Sequence, residues 1–153
     1  MSTRRSSIGI IFLTVLIDLI GFGIVIPVLP LYAERFGASP LQIGLLVGVY
    51  SFCSFLFAPV LGRLSDRFGR RPVLICSVIG TACGFYLMGA APTLAAKFGI
   101  GALWLLFVAR TIDGISGGNI STAQAYIADI TAPEDRARAM GLIGAAFGLG
   151  FMI

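Results

Sequence analysis

Three ionisable residues stand inside long apolar runs: Asp18, Arg110 and Asp113. Each costs roughly 2.5–3.5 kcal/mol to place at mid-helix in a bilayer. A residue that costly points to a partner, a water-filled cavity or a proton relay. Arg110 and Asp113 are three apart and share one helical face. Gly114, Gly117 and Gly118 continue that face. Charge and small residues there point together toward protein or water rather than lipid. Asp18 has no partner in its own run, and it lies about as deep as Arg110 and Asp113 lie in theirs. Carboxylates and one arginine gathered near a membrane midplane can exchange protons with a cavity, since burial favours a neutral acid and a nearby cation favours its ionised form. The competing account is an internal ion pair that only fixes packing. It suits Arg110 and Asp113 better than Asp18.

A second group lies between apolar runs, from Gly62 to Pro72. It holds Arg63, Asp66, Arg67, Gly69, Arg70 and Arg71. Glycines suit a tight turn between two helices. Asp66 suits a helix cap, and the arginines suit carboxylates or anionic lipid headgroups. Composition alone makes this a positively charged loop.

The elements that must position these groups are membrane helices. The 153 residues are 58% hydrophobic and 12% charged, against about 25% charged in soluble domains. So apolar a chain cannot cover itself with polar surface. A span needs about 20 mostly apolar residues. Runs of that kind cover about 8–32, 41–62, 72–96 and 100–128, after a cytoplasmic N-terminus at 1–7. A fifth, 139–153, is apolar to Ile153 with no polar stop. The expectation is four complete transmembrane helices plus part of a fifth, from a longer protein. Arg4 and Arg5 before an apolar run resemble a signal peptide. The run is too long for one, carries Asp18 and lacks a small-residue cleavage site, so it is expected to remain as the first helix.

Orientation follows the basic residues of the short loops. With the N-terminus in the cytoplasm, Arg4, Arg5, Arg63, Arg67, Arg70, Arg71, Arg136 and Arg138 lie inside, and only Arg35 and Lys97 outside. The net charge of +4 is thus orientation charge, not a nucleic-acid surface. Glycine pairs four apart, Gly44/Gly48, Gly80/Gly84, Gly114/Gly118 and Gly144/Gly148, suit close helix packing. Histidine is absent, and Cys53, Cys76 and Cys83 lie within apolar runs without metal-like spacing. No nucleophile–base pair, phosphate loop or metal cluster is present in the sequence, so neither an enzyme nor a cofactor is expected.

The segment Gly62–Arg71 resembles the cytoplasmic signature of the major facilitator superfamily. Asp18, Gly21, Ile26, Pro27 and Pro30 are similar to the first-helix pattern of its drug–proton antiporters. Arg110 and Gly114 are similar to that group's arginine motif. The segment from Ala125 to Arg138 resembles the tetracycline-efflux branch. The resemblance covers essentially the whole chain. It implies an all-α helical bundle: the partial N-terminal half of a carrier with two six-helix halves around a central cavity. It implies proton-coupled efflux of small amphipathic drugs, with protons, lipid and the absent C-terminal half as partners, in the cell (inner) membrane. By resemblance Asp66 holds the outward-facing state, Arg70 joins a cytoplasmic charge relay with Asp129, and Arg110 serves proton coupling. Asp113 departs from the commoner glutamine. Alternatives are a carrier of a sugar or organic acid, and a fragment that does not itself transport.

Overall fold

The structure is a computed structural model that describes residues 2–117 and 119–152, with backbone alone for residues 2–11, 119 and 151. Gly118 and Ile153 lie outside the described residues, and Arg4 and Arg5 outside the described side chains. Among the described residues six α-helices follow one another: α1 (Ser2–Glu34), α2 (Pro40–Phe68), α3 (Arg70–Phe98), α4 (Ala102–Ser116), α5 (Asn119–Ile130) and α6 (Arg136–Met152). A 3₁₀ turn at Pro133–Asp135 leads into α6. Among the described residues there is no strand. The chain is an all-α bundle.

Among the described residues three helices are long and apolar enough to cross a membrane: α1 from Phe12 to Glu34, α2 and α3. The run 100–128, expected as a single span, is two helices. After Ser116 the Gly117 N–H donates to the Gly114 carbonyl at 3.2 Å, one residue short of the α-helical register. Consecutive glycines at 117 and 118 in the sequence supply no side chain to favour helix, and they leave the apolar run unbroken.

The polar segment Arg63–Arg71, expected as a loop, is almost wholly helical. The 29 residues of α2 span about 43 Å, whereas the hydrocarbon core is about 30 Å thick. The apolar run therefore marks where the membrane ends, not where the helix ends. The junction is Gly69 alone, at φ 95° and ψ 151°, a conformation open essentially only to glycine. Gly62 makes no turn: it lies within α2, and its carbonyl accepts the Ser65 hydroxyl at 2.7 Å. At the other end of α2 a reciprocal cap forms. The Ser39 N–H donates to Gln42 Oε1 at 2.8 Å and the Gln42 N–H to Ser39 Oγ at 3.4 Å, with Pro40 opening the helix.

Packing centres on α4, which lies against α2 and α3, while α1 lies against α6. One apolar cluster joins Val15 and Leu19 of α1 to Ile127 of α5 and Ile143 and Ala146 of α6. Another joins Leu29 and Ala33 of α1 to Leu46, Met88 and Leu106 of α2, α3 and α4. In the second cluster Pro92 has no N–H for the Met88 carbonyl four residues earlier. The Tyr32 hydroxyl donates to that carbonyl from α1 at 3.2 Å. A neighbouring helix thus restores the hydrogen bond that proline removes.

The four glycine pairs do not behave alike. A Cβ on Gly114 would stand 2.6 Å from the Tyr50 carbonyl oxygen and 2.8 Å from Cys53 Cβ, so only glycine lets α4 approach α2 so closely. Gly80 and Gly84 meet α4 from the other side. Gly44, Gly48, Gly144 and Gly148 face open space. The packing expected of those two pairs is not made among the described residues, because their faces of α2 and α6 point away from the bundle.

Candidate functional site: an acidic cavity and a buried ion pair

Between the apolar clusters lies a cavity of about 210 Å³. Asp18 and Phe22 line it from α1, Tyr50 from α2, Thr81 and Phe85 from α3, Asp113 from α4 and Phe147 from α6. The two intramembrane carboxylates, 95 positions apart in the chain, thus face one space. Asp18 makes no hydrogen bond or ion pair among the described residues. Asp113 is 4% exposed and bonds Arg110 Nη1 at 2.7 Å. Thr81 of α3 lines the same cavity as this carboxylate.

Arg110 is the largest fully buried side chain described, 2% exposed. It does not line the cavity. Its Nη1 is satisfied by Asp113, while Nε has no hydrogen-bond partner. The Tyr50 ring covers the guanidinium, with Cζ 4.3 Å from the ring centroid. Such a contact contributes about 2 kcal/mol where water is excluded. Tyr50 in turn meets Phe22 at 5.1 Å between centroids, tilted by 36°. The i, i+3 spacing legible in the sequence is what brings Arg110 and Asp113 together on α4. The helix packing brings Asp18 to them.

A second charged cluster sits at the α2–α3 junction. Arg70 Nη1 bonds Asp66 at 2.6 Å and Ser65 Oγ at 2.7 Å. Its Nε bonds Asp129 Oδ2 of α5 at 3.0 Å. One guanidinium therefore ties the end of α2, the start of α3 and the end of α5. Arg67 is exposed over the neighbouring Phe68 ring. Arg71 is also exposed. Neither joins the cluster around Arg70. Ser65, Tyr50, Thr81 and the cavity aromatics Phe22, Phe85 and Phe147 were not among the residues singled out from sequence. Tyr50 carried a signal, as a hydroxyl-bearing aromatic in an uncharged run, but tyrosine is common in such runs.

The sequence matches the Major Facilitator Superfamily over residues 11–153. It is 42% identical to the tetracycline resistance protein, class C, of Escherichia coli, over 97% of this chain and 36% of that protein. It is 36% identical to the class H tetracycline resistance protein of Pasteurella multocida, over 97% of this chain and 36% of that protein. It is 33% identical to major facilitator superfamily domain-containing protein 10 of Bos taurus, over 95% of this chain and 36% of that protein. The chain thus spans about a third of the length of these relatives. The crystal structure of the human organic anion transporter MFSD10 (TETRAN) is similar in fold, with a TM-score of 0.75 and 29% identity over 97% of this chain and 39% of that one. Sequence match and helix arrangement agree, and this multi-pass membrane chain belongs to the Major Facilitator Superfamily.

Proposed function

We propose that this chain is the N-terminal part of a proton-coupled carrier that exports small amphipathic compounds, a tetracycline-like drug being the leading candidate. One observation carries the reading: Asp18 and Asp113 face a single aromatic-walled cavity beside a buried arginine. A carboxylate at a membrane cavity can be discharged by a proton or by a bound substrate, and competition between the two couples their movements. Asp18, outside the ion pair, is the exchanging group. Arg110 and Asp113 hold α4 and shape the cavity's charge. The similarity to proteins named for tetracycline resistance supports the substrate class.

The junction cluster is the gating element of this reading. Arg70 with Asp66, Ser65 and Asp129 holds one arrangement of α2, α3 and α5, Gly69 turns the chain, and Arg67 and Arg71 face the headgroups. Gly62 supplies the carbonyl that orients Ser65. The spans are α1, α2, α3, α4 with α5, and α6, in the cell (inner) membrane with the N-terminus in the cytoplasm. The partners are protons, substrate, lipid and the rest of a longer chain that closes the cavity.

A drug-susceptibility assay on cells expressing the full-length carrier tests this. Raised tolerance to tetracycline-like compounds, reversed by a protonophore, is expected. Unchanged tolerance across amphipathic drugs would contradict it and favour a second reading, a carrier of an organic acid. The likeness to an organic anion transporter supports that alternative.

A further inference from the structure

We propose that Tyr50 is a positioning residue of the intramembrane site: its ring caps the Arg110 guanidinium and holds it on Asp113, out of the cavity. Its consequence for coupling rests on the proton-coupled reading above, whereas its geometry does not.

The arrangement is built from both helices. α4 presents Gly114 to the backbone of Tyr50, where a Cβ would stand 2.6 Å from its carbonyl oxygen. Just past the end of α4, Gly117 faces its hydroxyl, where a Cβ would stand 3.1 Å away. Two glycines thus form a notch that seats a tyrosine. Once seated, the ring lies 4.3 Å over Arg110 Cζ. Phe22 of α1 supports it at 5.1 Å.

The burial of Arg110 requires such a cap. A guanidinium carries five donors, and of those at Arg110 one nitrogen bonds Asp113 while Nε has no partner. A cation so thinly hydrogen-bonded would swing toward the carboxylate it lacks, Asp18, or toward the cavity. The aromatic face supplies attraction without a hydrogen bond and blocks that swing. Tyr50 lines the cavity and Arg110 does not, so the ring stands between the cation and the space that Asp18 faces. The charged and titratable groups around Asp113 are Arg110 on its own helix, Asp18 on α1 and Tyr50 on α2. From the other packed elements come Thr81 of α3, Ile120 of α5 and Phe147 of α6.

The test uses this chain in lipid bilayers and the arginine reagent phenylglyoxal, with modification sites read by mass spectrometry. Arg110 is expected to be protected in the native chain and in Tyr50→Phe, which keeps the ring. In Tyr50→Leu it should react about thirtyfold faster, the factor that losing a ring contact of about 2 kcal/mol implies. Equal protection in Tyr50→Leu would overturn the proposal. Should Tyr50→Leu fail to fold, solid-state NMR of the native chain decides: an upfield ring-current shift of the Arg110 Nε–H is expected, and a shift typical of free arginine would overturn it. In the full-length carrier, Tyr50→Leu should displace the pH profile of transport and Tyr50→Phe should restore it. An exposed Arg110 with an unaltered profile would overturn the role in coupling. Transport that is pH-independent in the native carrier would instead contradict the proton-coupled reading, leaving the labelling result intact.

Discussion

Arg110 and Asp113 depend on each other more than either depends on the helix that carries them. Both are almost fully buried, and they meet at 2.7 Å. Removing one partner of such a pair strands the other, at a cost of about 3–5 kcal/mol. Arg110→Ala is therefore expected to lower the stability of the chain by about that amount. Asp113→Ala added to it should cost less than it does alone, because no charge is then left unpaired. Unfolding in mixed detergent micelles, run as a double-mutant cycle, measures both. Strictly additive losses would mean that the two side chains do not act as a pair. The spacing of these residues was legible in the sequence, since i and i+3 share a helical face whatever the fold. Tyr50 was not, because its importance comes from the Gly114 notch on another helix and from no property of its own run.

At the scale of the element, the Pro92-bearing helix α3 is held by its neighbour α1. Tyr32 of α1 satisfies the Met88 carbonyl that Pro92 leaves open in α3. Tyr32→Phe keeps the ring and deletes the donor, so it is expected to cost about 0.5–1.5 kcal/mol. In a chain that also carries Pro92→Ala the same substitution should cost almost nothing, since the helix would then satisfy Met88 itself. Equal costs in both backgrounds, measured by thermal unfolding, would show the bond to be incidental. The first three long helices were legible from the apolar runs. Helix ends were not. Hydropathy reports the thickness of the hydrocarbon core, and α2 and α3 continue past it through Arg63–Phe68 and Arg70–Arg71. The Gly117 interruption escaped for a related reason: it breaks the α-helical hydrogen-bond register without changing polarity.

For the whole molecule, the proposed orientation puts the α2–α3 junction in the cytoplasm and the α3–α4 junction outside. In a background without the three native cysteines, Arg71→Cys should react with an impermeant maleimide only from the cytoplasmic face, and Lys97→Cys only from outside. The reverse pattern would invert the orientation. The faces of α2 and α6 that carry Gly44, Gly48, Gly144 and Gly148 have no partner among the described residues, and the chain covers about a third of its relatives' length. Transport is accordingly assigned to the full-length carrier. The proposed role of Asp18 is to exchange the proton that drives export from the cavity it shares with Asp113. Its most direct test is proton counterflow on substrate addition, read by an entrapped pH dye in proteoliposomes of the full-length carrier. Native protein should release protons when substrate binds and moves, whereas Asp18→Asn should bind substrate yet show no proton flux. Undiminished counterflow in Asp18→Asn would contradict the account.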